Sequence, residues 1–497
     1  MSPDRDAIWF EGQTTSFQQF AARVRRTAAA LAALGVRTGD RVAWVSSNHP
    51  SALETLCACG QLGAVWVPLN ARFTAPEAHY VLAHCGASVV VHGPQHGELA
   101  DALRDSLPAV RAWVAVEPGP TGATESVPYE QLLAAADPHP LDHPVTLDDP
   151  CVIMYTSGTT GRPKGATLTH GNMTWACLNQ ILSMDLGPTE RTLSIAPLFH
   201  IGGLNAALNT LLRGGCVVIV ARFEPAGALT VIEEQRINSF FAVPTMLDAM
   251  ARSPAFAHCD VSALRTIVAA GAPVPLATLR SWLDRGVNVQ QAYGMTESSP
   301  SGTMLDSTDA VAKAGSAGKP QFFTDVRVIN RDGIDVVAGE VGEVVLQGPN
   351  IMAGYWKDPD ATTEAIVDGW YRSEDAATLD DDGYLYIRDR YKDMIISGGE
   401  NIYPAEVESA LRDLPDVVEA AVIGIPHPTW GEVGLAVVVL VPGVSQQPAA
   451  LLGALRERLA GYKVPRHVHF VDTLPKTATG KVRKLELQAR YRPQAHS

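Results

Sequence analysis

No stretch of this 497-residue chain is apolar for long enough to cross a bilayer. The longest obvious apolar run, 435–441, falls far short of the ~20 residues a spanning helix needs and reads as a buried strand. The first residues, Met1-Ser2-Pro3-Asp4-Arg5-Asp6, lack the basic region and apolar core of a secretory signal. Dense runs of lysine or arginine are missing too. With a formal net charge of −14, a nucleic-acid footprint is absent, and any anionic ligand must be met by a local site. The seven cysteines (57, 59, 85, 151, 177, 216 and 259) are odd in number and form no paired framework, as expected in a reducing compartment. Cys57 and Cys59 lack further ligands at metal spacing, so zinc is not expected. Internal repeats of solenoid period, low-complexity tracts and a basic amphipathic patch for membrane docking are also missing. A cytoplasmic protein without transmembrane segments or nucleic-acid partners is the expectation.

What is present is alternation. Residues 15–36 place apolar side chains at helical spacing behind a Ser16 cap, and 42–45 is a short apolar run. The pattern recurs as helix 52–62 and strand 64–68, then helix 75–85 and strand 88–92, which predicts α/β layers with largely parallel sheets. Residues 116–150, rich in Pro, Asp and Gly, read as surface connection before a strand at 151–155 and a second α/β unit reaching about 300. Short β-like pieces at 326–329 and 342–346, punctuated by Arg331-Asp332-Gly333, predict hairpins in a β-rich, barrel-like unit. A charged segment near 388–393 then precedes a strand, a helix at 404–414 and strands at 417–425 and 435–441. The expected organisation is a large domain, 1–390, of two layered α/β units plus the β-rich unit, and a small mobile α+β domain, 391–497.

One segment stands out chemically. Tyr155-Thr156-Ser157-Gly158-Thr159-Thr160-Gly161-Arg162-Pro163-Lys164-Gly165 follows an apolar strand directly. Glycines let backbone N–H groups approach phosphates, hydroxyls add donors and Lys164 adds a cation. It is not a Walker A loop, because Pro163 precedes Lys164 and Gly165 follows it.

This string resembles the signature loop of the adenylate-forming superfamily of acyl-CoA synthetases, adenylation domains and luciferases. Further matching segments follow in order: Pro197-Leu-Phe-His200, Val243-Pro-Thr245, Gly271-Ala-Pro273, Tyr293-Gly-Met-Thr-Glu297, Gly369-Trp-Tyr-Arg-Ser-Glu-Asp375, Asp389-Arg-Tyr-Lys-Asp393, Ser397-Gly-Gly-Glu-Asn-Ile-Tyr-Pro404 and Thr479-Gly-Lys481. The resemblance implies ATP, Mg²⁺ and coenzyme A. It implies an ATP site at Thr156, Ser157, Gly158, Thr159, Thr160, Gly161, Lys164, Gly271, Ala272, Pro273, Gln291, Ala292, Tyr293, Gly294, Thr296, Asp375, Arg390 and Lys481. Within it, Tyr293 offers a face for adenine, Thr296 a bond to the α-phosphate, and Asp375 and Arg390 a hold on the ribose. Thr156 and Glu297 are the metal-side pair, Glu297 being a hard oxygen ligand suited to Mg²⁺. Lys481 bridges carboxylate and α-phosphate, so Lys481, His200, Thr156 and Glu297 form the implied catalytic set. Ser373-Glu374-Asp375 departs from the usual Thr-Gly-Asp.

For transfer to coenzyme A the resemblance points to Ser397, Gly398 and Gly399 as a passage for the thiol arm and to Trp430 beside it, with Tyr462, Lys463 and Arg466 as further candidates. Lys392 occupies the hinge position. The acyl site is expected at Trp175, Phe199, His200 (a gate), Ile201, Gly202, Gly203, Asn205, Gly294, Met295 and Pro300. This set holds no lysine or arginine for a second carboxylate, which disfavours dicarboxylic acids. Consecutive glycines there are expected to leave room for an extended chain, and the motif wording most resembles medium- and long-chain fatty acyl-CoA synthetases. An aryl acid, or an amine or carrier-protein acceptor in place of coenzyme A, remains the alternative, and the reading admits a homodimer.

Overall fold

The computed structural model describes residues 2–117, 125–137, 144–156, 163–184, 186–390, 393–397, 400–459, 461–476 and 482–491. The chain divides into two compact units, Met1–Arg327 with Val345–Arg372, and Val328–Val344 with Ser373–Ser497. The strands Asp325–Ile329, Gly342–Gln347 and Trp370–Leu379 each run from one unit into the other.

The first unit carries two large sheets. In one, Val65–Pro68, Arg41–Val45, Ala87–His92 and Ala112–Ala115 are parallel neighbours. Pro150–Thr156 joins beside Val65–Pro68, and Lys164–Thr169 returns antiparallel against it. In the other, Cys216–Ile219, Arg191–Ser194, Ser239–Ala242, Thr266–Ala269 and Asn288–Tyr293 lie in parallel order. The helix Phe17–Ala33 begins where the sequence places it, because Ser16 Oγ accepts from Gln19 N–H while the Gln19 side chain accepts from Ser16 N–H.

The period-2 alternation of strands sorts the second sheet's faces. Leu193, Val218, Phe240, Ile267 and Val289 meet Leu229, Leu247, Met250, Leu279 and Trp282 in a dry core. The opposite face is hydroxylated: Thr192 Oγ1 and Ser239 Oγ are 3.0 Å apart, and Thr210 from the helix Ile201–Arg213 donates to Thr192. Asn48 ties the two sheets together, donating to Ala196 O at 3.0 Å and accepting from Leu198 N–H at 2.8 Å.

The stretch 116–150 departs from the surface connection expected of it. Its described part includes the helix Tyr129–Ala135, and Tyr129 is buried, with its hydroxyl donating to Glu54 at 2.8 Å. Glu54, 2 % exposed, also takes Arg23 Nε at 2.5 Å, so a buried carboxylate needed this partner and pulled an aromatic inward.

In the second unit, Val417–His427 and Gly431–Leu440 form a long antiparallel pair. Val422, Ala436 and Val438 face the helix Pro404–Arg412 through Val407 and Leu411, while Ala421, Ile423, Leu435 and Val437 face Leu487 and Tyr491. The turn predicted at 331–333 is built by Asn330, whose side-chain oxygen accepts from Asp332 and Ile334 N–H, and by Gly333 at φ 79°. No described helix is long and apolar enough to cross a membrane, and no group of three or more described His, Cys, Asp or Glu residues is placed to hold a metal.

Candidate functional site

The strands Pro150–Thr156 and Lys164–Thr169 set Thr156 opposite Lys164. Ser157, Gly158, Thr159, Thr160 and Gly161 between them lie outside the described residues. Both flanks are gripped by the helix Ala75–Cys85. Tyr80 donates to Pro163 O at 3.3 Å, and the Tyr155 hydroxyl meets His84 Nδ1 at 2.7 Å. Burial lowers the His84 pKa, which favours its neutral, accepting ring.

The adenine-side candidates sit at the ends of neighbouring parallel strands, where Ala269 pairs with Gln291. Gly271, Ala272 and Pro273 follow the first strand and Tyr293 closes the second, the usual crevice at the carboxyl ends of such strands. Gly271 takes φ 89°, a conformation that glycine adopts freely. Gln291 accepts from Val274 N–H at 3.1 Å, fixing the turn, while its buried Nε2 has no hydrogen-bond partner among the described residues.

Immediately beyond, Thr296–Ser298 forms a short 3-10 turn that carries Glu297. Asn350 donates to Ser298 O at 2.9 Å and Ser301 O at 3.1 Å, and Met352 N–H donates to Glu297 O, so the turn is held from behind. Thr156 Oγ1 donates to Glu297 Oε1 at 3.2 Å, which unites two residues 141 positions apart. Glu297 is 7 % exposed and makes no ion pair among the described residues. A buried carboxylate beside a hydroxyl, with no ion pair to a cation among the described residues, fits a hard divalent cation such as Mg²⁺.

Two tyrosines absent from the expected set complete this centre. Tyr355 donates to Glu297 Oε1 at 3.0 Å, and Lys164 Nζ lies 5.2 Å from the centre of its ring. Tyr371 hydrogen-bonds Tyr355; burial first, then the charge of Glu297, raises its pKa well above the ordinary phenol range. Tyr371 lies within a matched segment and Tyr355 in Ala-Gly-Tyr-Trp, but a lone tyrosine in sequence carries no sign of its partner.

Where the acyl site is expected, the Phe199 and His200 rings are 4.6 Å apart at the start of the helix Ile201–Arg213. Asn205 Nδ2 reaches Ser299 O at 3.5 Å, which brings this helix to the segment holding Met295 and Pro300. Trp175 packs edge-on to Phe323 at 4.9 Å.

Three of the glycines in this set stand in close contact with their surroundings. A Cβ on Gly202 would come within 2.6 Å of the Phe241 ring, one on Gly203 within 2.5 Å of Pro197 O, and one on Gly294 within 1.8 Å of Pro300 O. They are small because ring and backbone already fill the room a side chain would take. Phe241 pairs with Val268 and points away from the core that holds Phe240, toward Gly202.

In the second unit, Asp375 and Arg390 are cross-strand partners. Glu374 adopts φ 58°, the left-handed conformation that a glycine would take there without strain. Ser373 Oγ accepts from Asp375 N–H at 3.0 Å, and Glu343 accepts from Glu374 N–H at 3.2 Å. Ser397 pairs with Gly431, next to Trp430, and the Arg466 guanidinium stands 6.0 Å over the Trp430 ring. Lys463 pairs with Glu406 at 2.7 Å and lies over Tyr462. Lys392, Gly398, Gly399 and Lys481 lie outside the described residues.

Comparison with known proteins matches residues 1–356 to the AMP-binding enzyme family and 406–481 to the AMP-binding enzyme C-terminal domain. The chain is 50 % identical to a feruloyl-CoA synthase of Amycolatopsis sp over 492 residues, covering 99 % of this chain and 97 % of the relative. It is 38 % identical to the long-chain-fatty-acid–CoA ligase FadD13 of Mycobacterium tuberculosis, covering 96 % and 93 %. Among solved structures it is similar to the O-succinylbenzoate coenzyme A synthetase of Bacillus subtilis in complex with ATP and magnesium ion, with TM-score 0.86, 32 % identity and coverage of 98 % and 97 %.

Proposed function

Since the chain belongs to the AMP-binding enzyme family and is an AMP-forming acid–CoA ligase of the adenylate-forming superfamily, we propose that its acid is a compact, flat aryl acid of the hydroxycinnamic kind. The observation that carries this reading is the Phe241 ring, which stands 2.6 Å from the Cβ position of Gly202 and sets a flat aromatic surface at the helix start that Phe199 and His200 also border. The 50 % identity to a feruloyl-CoA synthase supports it further.

The acid enters as its carboxylate, already ionised at neutral pH, so no general base is required. A carboxylate oxygen attacks the α-phosphorus of ATP and pyrophosphate leaves. The thiol of coenzyme A then attacks the acyl carbon, and AMP departs. Tyr293 and the Gly271–Pro273 turn bind the base, Thr296 the α-phosphate, and Asp375 with Arg390 the ribose. Thr156 and Glu297 would hold Mg²⁺, which supplies charge neutralisation at the phosphate oxygens when bound. Lys164 adds positive charge on the same side, and Lys481 is assigned the bridge between the two reacting groups. Phe199 and His200 border the acid, and Ser397, Trp430 and Arg466 are assigned to coenzyme A.

The test is AMP release with coenzyme A present, over ferulate, coumarate, benzoate and saturated fatty acids of graded length. The expected result is a kcat/KM for ferulate or coumarate at least ~100-fold above that for any fatty acid of ten or more carbons, the scale of a few kcal/mol of pocket discrimination. A preference for the longer fatty acids would overturn the aryl reading and leave the ligase assignment intact.

A further inference from the structure

Tyr355 stands between a carboxylate and an ammonium group that do not pair. Its hydroxyl donates to Glu297 Oε1 at 3.0 Å, and Lys164 Nζ sits over its ring, 5.2 Å from the centroid. No ion pair joins Lys164 to Glu297 among the described residues. The tyrosine is itself fixed on three sides. Its N–H donates to Thr362 Oγ1 at 2.8 Å, it pairs across strands with Ala166, and the next residue, Trp356, donates to Gly165 O at 2.7 Å. Gly354 permits the approach, because a Cβ there would come within 2.7 Å of Thr362.

The two contacts share a physical property. A phenol hydroxyl hydrogen-bonds a carboxylate and leaves its charge in place, and an aromatic face attracts an ammonium group and leaves its charge in place. A direct Lys–Glu pair would cancel both charges, and MgATP would then have to break that pair to bind. We infer that Tyr355 is a positioning residue that keeps Glu297 and Lys164 apart, reserving the carboxylate for the metal and the ammonium group for the phosphates. This inference rests on the reading of Thr156 and Glu297 as the metal-side pair. Tyr355 does not touch the reacting atoms; it acts through the two residues that bind the nucleotide and its cation.

The experiment uses the full chain, α,β-methylene ATP to prevent turnover, and Mn²⁺ as the probe, followed by electron paramagnetic resonance. Nucleotide affinity without metal is measured separately by calorimetry in EDTA, and thermal melting reports folding. Tyr355→Phe keeps the ring and removes the hydroxyl. It is expected to raise the Mn²⁺ half-saturation about tenfold, the scale of one hydrogen bond to a charged group, with metal-free nucleotide affinity unchanged. Tyr355→Leu removes ring and hydroxyl together, and is expected also to weaken metal-free nucleotide binding about threefold or more as Lys164 swings onto Glu297. In a Glu297→Gln background, Tyr355→Phe should have no further effect on Mn²⁺. An unchanged half-saturation in Tyr355→Phe, or the same tenfold shift in the Glu297→Gln background, overturns the inference. Should Glu297→Gln alone leave Mn²⁺ binding intact, the metal-side reading fails first. If Tyr355→Leu melts early, the shape-conserving Phe variant and its double mutant still decide.

Discussion

Gly202→Ala is the sharpest probe of the proposed acyl floor. The added Cβ would stand 2.6, 2.7 and 3.2 Å from three carbons of the Phe241 ring. Carbon atoms rest at about 3.5–4.0 Å, so the ring must retreat by roughly 1 Å. The backbone of the strand Ser239–Ala242 is fixed between neighbours on both sides, with Phe241 in register with Val268, so the half-buried ring must yield by side-chain rotation. Overpacking of this kind costs about 1–3 kcal/mol, felt partly as stability and partly as a misplaced ring beside the acid. The expected result is a fall in kcat/KM for the aryl acid of roughly tenfold, with KM for ATP nearly unchanged, in the AMP-release assay. Gly202→Ala combined with Phe241→Leu should recover most of the loss, because the smaller side chain vacates the contested space. Phe241→Ala alone should lower turnover of ferulate and raise that of octanoate. If Gly202→Ala were as active and as stable as the parent, the ring would not be a fixed floor. A loss that Phe241→Leu does not relieve would place the effect in the helix start, where Leu204 N–H donates to His200 O, and would refute the steric reasoning.

Glu54→Gln leaves Arg23 its second partner, Glu130 at 2.5 Å, but weakens the charged hydrogen bonds that Arg23 and Tyr129 make to a buried group, and should lower unfolding free energy by about 1–2 kcal/mol, read by urea denaturation. Glu374→Gly relieves a left-handed φ of 58° and should raise stability by about 1 kcal/mol, seen as a higher melting temperature. His49 caps the helix Pro50–Leu62 through Nδ1, and burial, then the nearby Arg23, pushes its pKa down to about 4. The unfolded ring takes its proton near pH 6.5 and the folded ring only near 4, so its contribution is complete above 6.5 and is lost as pH falls through that window. His49→Asn, which keeps a capping acceptor, should flatten the melting temperature between pH 6.5 and 4.

The sequence by itself determined the order of elements, since apolar spacing and caps such as Ser16 are local properties that each segment carries alone. The strand before the Thr/Gly loop, the turn at Arg331-Asp332-Gly333 and the Tyr293–Glu297 segment were legible for the same reason, or through ordered motifs that match a family. Long-range partners were not legible. The Thr156–Glu297 hydrogen bond, the Tyr355 hydroxyl on the same carboxylate, and Tyr129 buried on Glu54 join residues 58 to 141 positions apart, and nothing in either local stretch encodes the other. Gly202 shows the limit most clearly. In sequence a glycine means only that no side chain is present, and whether that absence is empty space for a substrate or room already taken by Phe241 is decided when the helix Ile201–Arg213 packs onto the strand Ser239–Ala242.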